Sequence, residues 1–159
     1  MICKHKIKNY ESGFTAFVAL VVTGTLLLIA AGIINLSVRQ SFISSSGRDS
    51  QSAFYAADTG MECALFWDIK SPSGQTAFAT STGSLIHCNR DANNPSNQWV
   101  VGGNSVSVVG NITFLPDPYC ARVVVTKAAD GSTLIESYGY NTCDPANLRR
   151  VERAVRARY

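Results

Sequence analysis

SGFTAFVALVVTGTLLLIAAGIINLSV, residues 12–38, contains no charged side chain and sits directly behind Lys4, Lys6 and Lys8. As a helix rising about 1.5 Å per residue, Phe14–Val38 reaches roughly 37 Å, enough to cross the hydrocarbon of a bilayer. The run is longer than the apolar core of a secretory signal peptide, about 7–15 residues. No small-x-small exit site follows it, because Asn35-Leu36-Ser37-Val38-Arg39 leads on into more helix-like sequence. The segment therefore stays on the protein. The lysines beside it keep the N-terminus in the cytoplasm, and everything beyond Val38 lies outside.

Working outward, the apolar residues after Arg39 thin to one stripe. Phe54, Ala57, Met61 and Leu65 follow the 3–4 spacing of an amphipathic helix, while Asp58, Glu62 and Asp68 fall largely on other faces. Ser44-Ser45-Ser46-Gly47 is weak helix former and predicts a soft turn or kink. The helix must end before Pro72, so one helix from about residue 14 to 69 is expected, roughly 80 Å long. Residues 73–104, rich in Ser, Thr, Gly and Asn, predict a long connection with short strands near 84–88 and 98–101. Strands follow at 105–109 and 111–115. The clearest hairpin is Ala121–Lys127 with Thr133–Tyr140 around Asp130-Gly131, a strong turn signal.

The closing segment alternates as a strand. Val151, Val155, Ala157 and Tyr159 face one way and Arg150, Glu152, Arg156 and Arg158 the other, with Arg153 out of place on the apolar face. An antiparallel sheet with one buried face follows, and the amphipathic half of the helix is its natural cover. The fold class is α+β: a long N-terminal α-helix packed on a C-terminal antiparallel β-sheet.

The chain has 159 residues and a formal charge of +3, of which +2 falls on residues 1–13. The near-neutral remainder gives no electrostatic ground for general nucleic-acid binding. Cys3 lies on the cytoplasmic side, while Cys63, Cys88, Cys120 and Cys143 lie outside, where two disulfides are expected. Four cysteines allow three pairings. Folding the hairpin back brings Cys120 near residues 139–143 and favours Cys120–Cys143 with Cys63–Cys88; four buried free thiols are the competing reading.

Two motifs resemble the type IV pilin family, closest to the PilX-type minor pilins and the pseudopilins of type II secretion. One is the short basic leader ending Ser12-Gly13-Phe14, with the apolar run starting at once. The other is Ala53-Phe54-Tyr55-Ala56-Ala57-Asp58-Thr59-Gly60-Met61-Glu62, similar to the segment where minor-pilin helices enter the head. The last strand, from Arg149 to Val155, is also similar to that group, whereas residues 71–115 match nothing useful. The resemblance implies cleavage between Gly13 and Phe14 by a prepilin peptidase and N-methylation of Phe14. It divides the chain into a leader (1–13), a transmembrane and filament-core helix (14–38), its amphipathic continuation (39–70) and a disulfide-containing head (71–159). Most major pilins carry glutamate at the fifth residue after the cut; this chain has Val18. That carboxylate is thought to neutralise a neighbour's N-terminal amine, and an unpaired charge in an apolar core is costly. Val18 thus points to a minor subunit, suited to the tip of a filament.

Catalytic chemistry finds no nucleophile–base pair. His87 beside Cys88 lacks the ligand spacing of a zinc site. Asn89-Arg90-Asp91-Ala92-Asn93-Asn94 offers oxygens for calcium, but Arg90 inside it and the missing bidentate acid favour an ordinary Asx-rich turn. Asn111-Ile112-Thr113 fits a glycosylation sequon within an expected strand. Arg149, Arg150, Arg153, Arg156 and Arg158 form the one basic cluster, which acidic neighbours explain better than DNA. The resemblance implies a non-enzymatic structural subunit without a cofactor, helping to initiate, cap or decorate a pilus. Its implied partners are the prepilin peptidase, other pilins, the inner-membrane assembly platform and, before assembly, the membrane. It would start as a single-pass inner-membrane protein with its N-terminus in the cytoplasm and end in an extracellular filament. The alternatives are a secretion pseudopilin or a signal-anchored binding module for surfaces or DNA.

Overall fold

The computed structural model describes residues 12–159, so the lysine head and Cys3 lie outside the described residues. Helix α1 runs Ser12–Ile69 without a break. It contains no proline, and in its apolar half Thr23 and Thr25 turn their hydroxyls onto their own helix, 2.8 Å to Ala19 O and 2.9 Å to Val22 O. Such back-bonding removes the cost of leaving a hydroxyl unpaired in an apolar setting. The helix continues through Ser44–Gly47, the stretch expected as a soft turn or kink, and the two compact units of the chain divide there, between Ser44 and Ser45. The cost of one glycine, about 1 kcal/mol, is small against continuity with helix on both sides. Lys70 N–H still donates to Phe66 O, and the Ser71-Pro72 step then ends the helix.

The first unit, up to Ser44, is helix whose large apolar side chains are exposed throughout its described length. The second unit, 45–159, is α+β. It contains the rest of α1, a hairpin of β1 (Gly83–His87) and β2 (Gln98–Gly102), and an antiparallel sheet in the order β3-β4-β5-β6. β3 (Val106–Thr113) joins the two runs expected as separate strands. A register shift between Val109 and Ile112 absorbs the Gly110-Asn111 step that alternation alone reads as a gap. β4 (Cys120–Lys127) and β5 (Thr133–Tyr140) are the expected hairpin, with Gly131 at φ 87° supplying the turn. β6 (Glu152–Arg158) closes the sheet.

α1 meets this sheet through small residues. Ala53, Ala56, Ala57, Met61 and Ala64 are buried, and they pack with Val109, Ile112, Ala121, Val123, Val125 and Ile135. The approach is close enough that a Cβ at Gly139 would run into Ala53 O and the Ala57 backbone, while one at Gly60 would meet Ser137 Oγ at 2.6 Å. Phe54, expected on the core face, is 48% exposed. Ala57, Met61 and Leu65 of the expected stripe do face the core, and beside them the sheet takes Ala53 in place of Phe54, since a bulky ring there would hold helix and strand apart. Asp68, expected on a solvent face, is buried.

Candidate assembly site

The Gly13–Phe14 step lies in the first turn of the described helix, and Phe14 is 69% exposed. Behind it Phe17, Leu20, Leu27, Leu28 and Ile33 are exposed on every side of the helix. A helix apolar all round belongs in lipid or between other helices. Among the described residues, α1 is the one helix long and apolar enough to cross a membrane. Val18 sits on this same surface, 43% exposed, and leaves it without a carboxylate.

At the C-terminal end of α1 one buried carboxylate is closely partnered. The Asp68 carboxylate accepts both 2.7 Å contacts from Lys127 Nζ and the hydroxyl hydrogens of Thr76 and Tyr159. Burial alone would push its pKa up; the hydrogen bonds from Lys127, Thr76 and Tyr159 outweigh that and hold it below the usual value. Tyr159 moves the opposite way, upward, through burial and the adjacent Asp68 carboxylate. Lys127 also reaches Thr133 Oγ1 at 2.7 Å, so the end of α1, β4, β5 and the residue after β6 are tied at one point.

Cys63 and Cys88 form a disulfide between α1 and the residue after β1, with Cα atoms 5.9 Å apart. The expected second bridge is not formed in this structure. Cys120 and Cys143 are free thiols, and burial, with the neighbouring thiol, pushes Cys120 up to about 12. The two do lie together, because β4 and β5 pair Cys120 with Tyr140 and Cys143 N–H donates to Pro118 O at 3.0 Å.

The His87 ring packs edge-on against Trp67 at 5.1 Å, and His87 O accepts the Trp67 indole N–H at 2.9 Å. Its neighbour Cys88 is spent on the disulfide. The asparagine-rich loop is a fastening. Buried Asn94 and Asn97 bond the β3 end on both amide faces: Asn97 Nδ2 to Thr113 O at 2.8 Å, Thr113 N to Asn97 Oδ1 at 3.1 Å, and Leu115 N to Asn94 Oδ1 at 3.0 Å. Asp91 Oδ1 accepts from Asn93 N, Asn94 N and Asn94 Nδ2, which holds its pKa below the ordinary value, the Asn94 amide foremost. Asp91 Oδ1 and Asn94 Oδ1, two of the oxygens weighed for calcium, are thus engaged by the chain itself. Sequence reasoning found this cluster but not its use, since the partners lie 16 to 21 residues away.

The arginine cluster divides. Arg156 and Arg158 reach Glu136 at 3.8 Å and Asp130 at 3.9 Å, so acidic groups on the same sheet account for them. Arg150 stacks on the Tyr140 ring at 3.8 Å. Arg149 and Arg153 turn to the helix, donating to Ser45 Oγ at 3.2 Å and Ser50 Oγ at 2.9 Å. That explains why Arg153 interrupts the apolar face of β6: it bridges strand to helix beyond the edge of the core.

Residues 12–62 match the PilX N-terminal family model. No curated protein and no solved structure matches the chain. The match begins one residue before Gly13, covers the whole apolar half of α1 and extends through the Ala53–Glu62 segment that packs on β5. Over residues 12–62 the chain is therefore similar to the N-terminal segment of the PilX family.

Proposed function

We propose that this chain is a minor type IV pilin, a structural subunit that helps initiate or cap a filament. A prepilin peptidase cuts between Gly13 and Phe14, and the new amine of Phe14 is methylated. Phe14–Val38 first holds the protein in the inner membrane, with its N-terminus in the cytoplasm, and then moves into the filament core against other pilin helices on the assembly platform. One observation supports this reading: the family match spans the Gly13–Phe14 step and a half-helix whose large apolar side chains are exposed among the described residues. Transfer from lipid to a helix bundle exchanges one apolar environment for another and is driven by packing.

Val18 sets rank within that filament. Without a carboxylate there, the subunit cannot neutralise a neighbour's amine and is suited to a place where no acceptor is needed. Outside the cytoplasm, Cys120 and Cys143 become the second disulfide, two thiols giving two protons and two electrons to a disulfide oxidant of that compartment. The test is genetic. Removing the prepilin peptidase from the host should leave the full-length chain in the membrane and none in sheared filaments. Recovery of the chain from filaments in equal amount without the peptidase would refute the reading.

A further inference from the structure

Ser45-Ser46-Gly47-Arg48-Asp49-Ser50-Gln51-Ser52 is helix with little of its own to keep it so. Serine and aspartate divert the backbone into local bonds of their own, and glycine loses the most chain entropy on becoming helical. No opposite charges stand three or four residues apart within the stretch, so ion pairs along the helix do not support it. The core does not hold it either. None of the eight residues is buried, a Cβ at Gly47 would meet nothing within 4 Å, and the buried seam starts only at Ala53.

Two arginines hold it instead. Arg149 donates to Ser45 Oγ at 3.2 Å and Arg153 to Ser50 Oγ at 2.9 Å. Both project from braced backbone. Arg149 N–H donates to Asn147 Oδ1 at 2.9 Å, and Arg149 O accepts from Asn141 Nδ2 at 3.1 Å. Arg153 pairs with Gly139 in the β5–β6 ladder, at the seam where α1 approaches the sheet most closely. The clasp is thus fixed in the sheet and its loop, while the helix that it grips is weak. Helix on both sides disfavours an internal break, so the stretch is closed at rest. Hydrogen bonds from a charged donor are stronger than neutral ones, so these two add a large share of what keeps it closed.

We propose that residues 45–52 are a releasable segment of α1, clasped shut by Arg149 and Arg153, that unwinds while the sheet and the Ala53–Ala64 seam stay folded. Helical, eight residues rise about 12 Å; extended, they reach up to roughly 27 Å. The chain thereby gains slack ahead of the seam without unfolding its core. When the segment rewinds, the braced arginines stand ready to take Ser45 and Ser50 again. Such a release works for any head on an anchored helix, in a filament or out of one.

Hydrogen exchange of the full chain in detergent micelles, followed by mass spectrometry, tests it. Amides of residues 45–52 should exchange at least about a hundredfold faster than those of β4 and β5, because they open without the core. Arg149→Ala with Arg153→Ala should speed the segment at least about tenfold more and leave β4 and β5 unchanged. Gly47→Ala with Ser46→Ala, both at exposed positions, should slow it about tenfold and needs no change to the arginines. Exchange of residues 45–52 in step with β4 and β5 would overturn the proposal. So would an arginine variant that leaves the segment unchanged or speeds the sheet equally, or an alanine variant that fails to slow it.

Discussion

The two halves of α1 are equally helical and solve opposite problems. From Phe14 to Ile34 the large side chains, phenylalanine, valine, leucine and isoleucine, are all exposed. From Ala53 to Ala64 the buried stripe is alanine and glycine apart from Met61, closed against β5 and β4. Large exposed groups suit a helix whose partner is lipid or another subunit, because area gives the gain and no fixed fit is required. Small buried groups suit a helix whose partner is its own sheet, because the distance of approach is set within the chain. Each half can be tested by giving it the other's residues.

The largest effect should come from putting bulk into the small-residue seam. Gly139→Val would drive methyl groups into the Ala53 and Ala57 backbone, and relief requires the helix to lift. We expect at least about 4 kcal/mol lost or no folded head at all, read by urea unfolding of the head's near-ultraviolet signal. Unchanged unfolding would mean that the seam is not the joint between helix and sheet.

Next comes the polar tie at the seam's end. Removing Lys127 as Lys127→Ala leaves the buried Asp68 carboxylate without its cation and should cost about 3–5 kcal/mol. The Asp68 pKa is held below its unfolded value, so the stability it contributes is complete above that unfolded value, near pH 4. It is lost as pH falls through the lower folded pKa. In Asp68→Asn that part of the acid transition should flatten; an identical profile would show that Asp68 does not titrate with unfolding. Replacing both Cys63 and Cys88 by alanine opens a loop spanning 25 residues and should lower head stability by about 3 kcal/mol, measured the same way.

The smallest effect belongs to the other half. Leu27→Ala with Leu28→Ala removes much side-chain volume, yet the head's unfolding midpoint should stay within about 0.5 kcal/mol, because neither residue is buried within its unit. Recovery in filaments should fall instead. A head destabilised by these changes would erase the distinction between the halves.

What the sequence made legible follows from the same distinction. The apolar half announces itself by length, and the β4–β5 hairpin by alternation around Asp130-Gly131. Phe54 misleads alone: Ala57, Met61 and Leu65 of the same stripe do face the core, while Ala53 takes the place expected for the ring. Asp68 misleads for a different reason: a carboxylate reads as solvated until Lys127, 59 residues on, comes to meet it. Asn94 looks like a possible ion ligand until Thr113 and Leu115 bond to its oxygen. Arg153 on an apolar face is unexplained in one dimension and needs Ser50 to make sense. Periodicity is local and visible; the partners of buried polar groups are distant and are not.

The central claim is that α1 begins its mature life at Phe14. Intact-mass and N-terminal mass spectrometry of the protein taken from filaments of its native host measures this directly. The account predicts a chain starting at Phe14 with one methyl group on its amine. A chain that still carries residues 1–13 would contradict it and leave α1 as a plain membrane anchor.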